Sequence, residues 1–193
     1  MIPWARPDFY GYEDKYTRQA LKSTWISDGS FIKKFETKFS SYLKTKDSIT
    51  VNNGTAAIHL IFLTMGLKQG DEIIIPGFGY MAAANIAIQM GIKPIFADVD
   101  LDTFCITAEN IKKKLSKKTK LIVLIHTYGN VCDLKPIINL AKKKKIPILE
   151  DSAESFGSKY NNKQAGADLC QAQAQLDWWA EATKFAFKSR KLF

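Results

Sequence analysis

From residue 48 onward, short apolar runs rich in β-branched residues alternate with longer stretches in which polar and apolar positions are mixed. The runs 48–51, 72–75, 94–97, 121–125 and 146–149 have strand length, and the intervening stretches 55–66, 81–91, 107–115 and 134–145 have helix length. Gly66 and Gly91 stand where the glycine that closes a helix belongs. Near-continuous apolar strands joined by helices predict an α/β fold, a mainly parallel sheet with helices on both faces. Ahead of it, 12–23 and 32–42 read as two surface helices joined by Trp25-Ile26-Ser27-Asp28-Gly29-Ser30. No linker and no internal repeat divides the chain up to Gly166.

The last 27 residues, 167–193, change character: Gln, Ala and Trp become abundant and Ile vanishes. Ala and Gln favour a terminal amphipathic helix, whereas the shift in composition favours a tail that is foreign to the preceding fold. The expected division is therefore 1–166 and an atypical tail, 167–193.

Composition narrows the classes. With 46% hydrophobic and 24% charged residues, the chain lies in the globular range. No apolar run is long enough to cross a bilayer, and the N-terminus has no signal-like apolar stretch, so a cytoplasmic protein without a membrane partner is expected. Cys105, Cys132 and Cys170 are scattered, which argues against a disulfide framework and against a metal site. The net charge of +9 comes almost entirely from Lys, concentrated in 112–120 and 142–145, whereas Arg occurs three times. That distribution reads as solvated helix faces and a field attracting anionic substrates, not as a nucleic-acid interface.

Three segments carry chemistry. In Val51-Asn52-Asn53-Gly54-Thr55-Ala56 a strand ends, Gly54 turns the chain and a helix begins, so free N–H groups and the positive end of a helix dipole point at one spot suited to phosphate. Pro76-Gly77-Phe78-Gly79-Tyr80-Met81-Ala82 fits the G-x-G-x-x-A pattern of a dinucleotide turn, with Asp98 21 residues after Gly77. Bulky Phe78 and Tyr80 in the turn count against that fit. Ile148-Leu149-Glu150-Asp151 brings two acids to the carboxyl edge of the sheet. There Asp151 suits either a helix cap or the retention of a proton on a cationic ring nitrogen.

These segments belong to eight blocks in natural order, among them Ser23-Thr24-Trp25-Ile26-Ser27, Asn53-Gly54-Thr55-Ala56-Ala57-Ile58-His59-Leu60, Pro94-Ile95-Phe96-Ala97-Asp98-Val99, His126-Thr127-Tyr128-Gly129-Asn130 and Glu150-Asp151-Ser152-Ala153-Glu154. From Ile2-Pro3 to Gly166 the chain resembles the DegT/DnrJ/EryC1/StrS family of pyridoxal-phosphate (PLP) sugar aminotransferases, and within it the perosamine-synthase-like members. The resemblance implies a fold-type-I large domain and a PLP cofactor. Gly54, Thr55 and Ala56 would hold the phosphate through the turn and its N–H groups, and Tyr80 would stack on the ring. Asp151 would pair with the ring nitrogen, and Glu154 would lie near the cofactor hydroxyl. His126 lies in a family motif near the cofactor and reads equally as packing.

The same resemblance implies a homodimer that transfers an amino group, with glutamate as donor, to a 4-keto-6-deoxy sugar on a nucleotide diphosphate. Family members hold PLP on a lysine preceded by Ser-Phe and followed by a Gly-rich run, and that block is absent after Gly166. Ala182-Thr183-Lys184 offers Lys184 as the Schiff-base candidate, displaced from the family spacing. A truncated or frame-shifted, inactive chain is therefore expected. The alternatives are a non-catalytic remnant that keeps the phosphate turn, or a PLP-dependent sugar dehydratase. The dehydratase branch carries a His in place of the lysine, and no His follows His126.

Overall fold

The computed structural model describes residues 9–25 and 29–166 in full, and 172–175 and 183–187 by their backbone. The blocks at Ile2-Pro3 and Ile26-Ser27, Cys170 and most of the tail lie outside the described residues. Two helices lead the chain, α1 (Tyr12–Lys22) and α2 (Ser30–Leu43). Strands and helices then alternate: β1 (Asp47–Val51), α3 (Gly54–Thr64), β2 (Glu72–Pro76), α4 (Ala82–Gln89), β3 (Lys93–Ala97), α5 (Ala108–Lys114), β4 (Thr119–Ile125), α6 (Leu134–Lys144) and β5 (Ile148–Asp151). A small hairpin of β6 (Lys159–Tyr160) and β7 (Lys163–Gln164) follows, then β8 (Ala172–Gln175) and β9 (Thr183–Phe187).

The main sheet has the order β1-β9-β8-β5-β4-β2-β3. β2 pairs in parallel with β3 and β4, β4 with β5, and β5 with β8, whereas β9 is antiparallel to both of its neighbours. β1 therefore runs with the parallel strands. The segment after residue 167 supplies strands where its Ala and Gln favour a helix. Pairing between β1 and β5 satisfies backbone groups that two facing sheet edges would otherwise leave open, and this outweighs local propensity.

Period two explains why the strands read as continuous apolar runs. Ile73, Ile75, Val123 and Leu149 meet Ile58, Ile61 and Phe62 of α3 and Ala83 and Ala87 of α4 on one face. Ile74, Ile122, Leu124 and Ile148 meet Ile111 of α5 and Leu134, Ile137 and Ala141 of α6 on the other. A strand buried on both faces has no polar side to show. The outer edge at β1 is covered by α2, where Glu36 Oε1 accepts the Thr50 N–H at 2.7 Å and the hydroxyls of Ser40 and Ser48 lie 2.7 Å apart. Among the described residues no helix is long and apolar enough to cross a membrane.

The turn after β2 depends on one glycine. Gly79 has φ 130°, and a Cβ there would sit 3.1 Å from Ile125 Cδ1 at the end of β4. Gly66, at the end of α3, has φ 68° with nothing within 4 Å of such a Cβ. Gly66→Ala is expected to cost about 1–2 kcal/mol from backbone strain alone. Gly79→Ala should cost more, about 2–4 kcal/mol, because contact with Ile125 adds to the strain. Chemical denaturation of the two variants checks the order.

Candidate active site

The carboxyl edge of the sheet collects the predicted residues. α3 starts there after β1, the turn bearing Tyr80 follows β2, Asp151 ends β5 and Glu154 lies just beyond it. Asn53 is extended and caps α3, its side-chain oxygen accepting the Ala56 N–H at 2.8 Å, while the Ala57 N–H bonds to the Asn53 carbonyl at 3.1 Å. The cap changes which donors are open. The Ala56 N–H, predicted as a phosphate donor, is already held, whereas Gly54 and Thr55 are the first two helical residues and their N–H groups have no partner within the helix. An anion at this end is favoured by those two donors and by the positive end of the helix dipole.

Glu150 and Asp151 are both buried, and successive residues of a strand project to opposite faces. Glu150 is bound by protein groups through Oε2. Its Oε2 accepts the Gly166 N–H at 2.8 Å and lies 3.1 Å from His126 Nε2. His126 Nδ1 accepts the Cys132 N–H at 3.3 Å, so Nε2 carries the proton and donates to Glu150. His126 is fully buried, and its observed bonds tie the end of β4 to β5 and to the loop at Cys132.

Asp151 differs. Its Oδ1 accepts the Ala153 N–H at 3.1 Å in a turn, and no helix begins behind it, so it is not a helix cap. It makes no ion pair among the described residues. Burial pushes its carboxyl up to about 6, opposed by the Ala153 hydrogen bond and the nearby His126. A cationic group against this carboxylate would relieve the burial cost.

Glu154 is exposed, and its Oε2 accepts the Tyr128 N–H at 2.7 Å, pinning a residue with φ 54°. Tyr128 and Phe104 both pack on Phe78, with ring centroids 6.3 and 5.4 Å away. Phe78 therefore fills the turn that matched a dinucleotide fingerprint. Tyr80, two residues on, is 59% exposed and stands at the head of α4. Sequence reasoning did not single out three buried hydroxyls, Thr127 Oγ1, Ser152 Oγ and Ser155 Oγ, which have no hydrogen-bond partner among the described residues. Lys184 is the second residue of β9, its backbone opposite Thr50 and Gln175, one pair in from the Val51–Thr183 pair at this edge. Among the described residues no group of three or more His, Cys, Asp or Glu is placed to hold a metal ion.

Two open N–H groups, a buried carboxylate that makes no ion pair among the described residues and an exposed aromatic ring make a donor set that fits a phosphorylated, cationic heteroaromatic group. The burial of Asp151 also sets a stability signature in the free chain. Its folded value, about 6, lies above the ordinary 3.8, so the stability it contributes is fully present below about pH 4 and is lost as pH rises through 6. Asp151→Asn removes this dependence. The stability of the variant relative to the parent should rise by up to about 3 kcal/mol between pH 4 and pH 7, as measured by paired thermal melts.

The chain matches the DegT/DnrJ/EryC1/StrS aminotransferase family over residues 9–172. It is 42% identical over 166 residues to the GDP-perosamine synthase of Escherichia coli O157:H7, a match that covers 86% of this chain and 46% of that protein. Curated relatives of this kind are about twice as long, so the chain spans about half the length of those it matches. Among solved structures, the aminotransferase TlmJ from Streptoalloteichus hindustanus superposes with a TM-score of 0.93 at 27% identity, over 98% of this chain and 54% of that one. The E. coli GDP-4-keto-6-deoxy-D-mannose-3-dehydratase with bound hydrated PLP gives a TM-score of 0.91 at 26% identity, over 98% of this chain and 51% of that one. The order of the strands, the residues at the carboxyl edge and these likenesses agree: the chain belongs to the DegT/DnrJ/EryC1/StrS aminotransferase family.

Proposed function

We propose that this chain is the cofactor-binding part of a PLP-dependent aminotransferase acting on a nucleotide-linked 4-keto-6-deoxy sugar, with glutamate as amino donor, in the making of amino sugars for surface polysaccharide. The observation that carries the reading is the buried carboxylate of Asp151, which makes no ion pair among the described residues, on the same sheet edge as the open N-terminus of α3. GDP-perosamine synthases as relatives, and a GDP-keto-sugar dehydratase among the structural neighbours, support the class of substrate. A homodimer in the cytoplasm belongs to the same reading. So does the division of the chain at residue 166, after which the composition changes.

In this reading Gly54 and Thr55 bind the cofactor phosphate through their N–H groups, and Asn53 keeps the helix start in place through Ala56. Tyr80 covers one face of the ring. Asp151 holds the proton on the ring nitrogen, since a carboxylate fixed in a dry site favours the charged partner. When bound, PLP supplies the electron sink for removal of the substrate's α-proton. Glu154 orients the loop at Tyr128, close to the position that the family gives to the cofactor hydroxyl. Lys184 is the candidate for the covalent anchor, but it lacks the Ser-Phe and Gly-rich flanks of the family lysine.

Titrating the full chain with PLP is expected to give saturable absorbance and fluorescence changes. Asp151→Asn should weaken binding about tenfold or more, because it removes the charge that compensates the ring nitrogen. Borohydride reduction followed by peptide mass spectrometry should leave Lys184 unmodified, consistent with non-covalent binding. Absence of saturable binding would contradict the cofactor assignment, and a stable adduct on Lys184 would make that residue the anchor.

A further inference from the structure

The opposite edge of the sheet, where β2, β4 and β5 begin, contains a cleft of about 560 Å3. Five lysines line it: Lys68 from the loop after α3, Lys117 and Lys120 around the start of β4, and Lys144 and Lys145 at the end of α6. All five are exposed, and none is in an ion pair among the described residues. Asp71 is the acidic residue in this lining, and its Oδ2 already accepts the Lys68 N–H at 3.0 Å. Lysines in the last turn of a helix are ordinarily explained by the negative end of the helix dipole. That accounts for Lys144 and Lys145. It does not account for Lys68, Lys117 and Lys120, which two other segments bring to the same cleft.

The charges do not cancel. Against five ammonium groups stand one carboxylate and the C-termini of α3 and α6, each worth roughly half a charge, which leaves about +3 within one cleft. Among the described residues no aromatic ring and no Arg lines it, so none of them stacks on a base or forms a bidentate fork there. Compact ammonium charges on flexible stems suit phosphate as point charges. We infer that this cleft binds a multivalent phosphate anion of the polyphosphate type, recognised by charge density and not by a base or sugar. This site lies across the sheet from Asp151 and is independent of the chemistry proposed at the carboxyl edge.

Isothermal titration of the full chain with sodium tripolyphosphate at low salt tests the inference. One saturable site is expected. The triple variant Lys117→Gln, Lys120→Gln, Lys145→Gln should bind about tenfold more weakly or worse. The control triple Lys38→Gln, Lys112→Gln, Lys114→Gln, which removes the same charge elsewhere, should stay within about twofold of the parent. Arginine at the three cleft positions should retain binding, and thermal melts of all variants should coincide. Equal weakening by both triples would show diffuse charge attraction and overturn the site. Failure to saturate would do the same. Tighter binding of a poly-glutamate peptide of matched charge would overturn the phosphate assignment.

Discussion

Two carboxylates leave the end of one buried strand, and the architecture depends on how each is compensated. The period of two that buries Ile148 and Leu149 on opposite faces also separates Glu150 from Asp151. Burial without compensation would cost either residue several kcal/mol, far more than a surface acid costs. Glu150 finds its compensation inside the chain, from His126 and the Gly166 N–H. That bond set joins the end of β4, the loop at Cys132 and the segment after the hairpin, so it holds the carboxyl edge in shape. Among the described residues Asp151 accepts the Ala153 N–H and makes no ion pair. In the proposed reading, one buried acid serves the framework and its neighbour is left for a ligand.

The parallel sheet extends this logic to its two edges. Helices that follow parallel strands all present N-termini to the carboxyl edge and C-termini to the amino edge. The carboxyl edge gains N–H donors at Gly54 and Thr55 from the backbone itself. The amino edge would be electronegative from its helix ends, but Lys68, Lys117, Lys120, Lys144 and Lys145 reverse it. The two edges thus attract anions by different means: one through fixed backbone dipoles, the other through mobile ammonium groups.

Much of this was legible in the sequence because the signals were redundant. Strand positions at Ile73-Ile74-Ile75 and Leu121-Ile122-Val123-Leu124-Ile125 followed from apolar runs that only a two-faced strand explains. The ends of α3 and α4 lie two residues before Gly66 and Gly91. Less legible was anything fixed by partners distant in the chain. The strands Ala172–Gln175 and Thr183–Phe187 pair with β5 and β1, the first of them against the preference of its own Ala and Gln. The Asn53 cap on Ala56 reassigns a donor by a side-chain rotamer that no spacing reveals. The pairing of His126 with Glu150, 24 residues apart, likewise needed the register of β4 against β5.

The central claim is that Asp151 is held for a cation supplied by the cofactor. Its own titration is the most direct measure. A carbon-13 NMR titration of the labelled Asp151 carboxyl, with and without saturating PLP, follows that one group. In the free chain the transition should lie near 6. With PLP bound it should move down to about 4 or below, as expected for a carboxylate facing a fixed positive charge. A transition that stays near 6 while PLP saturates the protein would contradict the account.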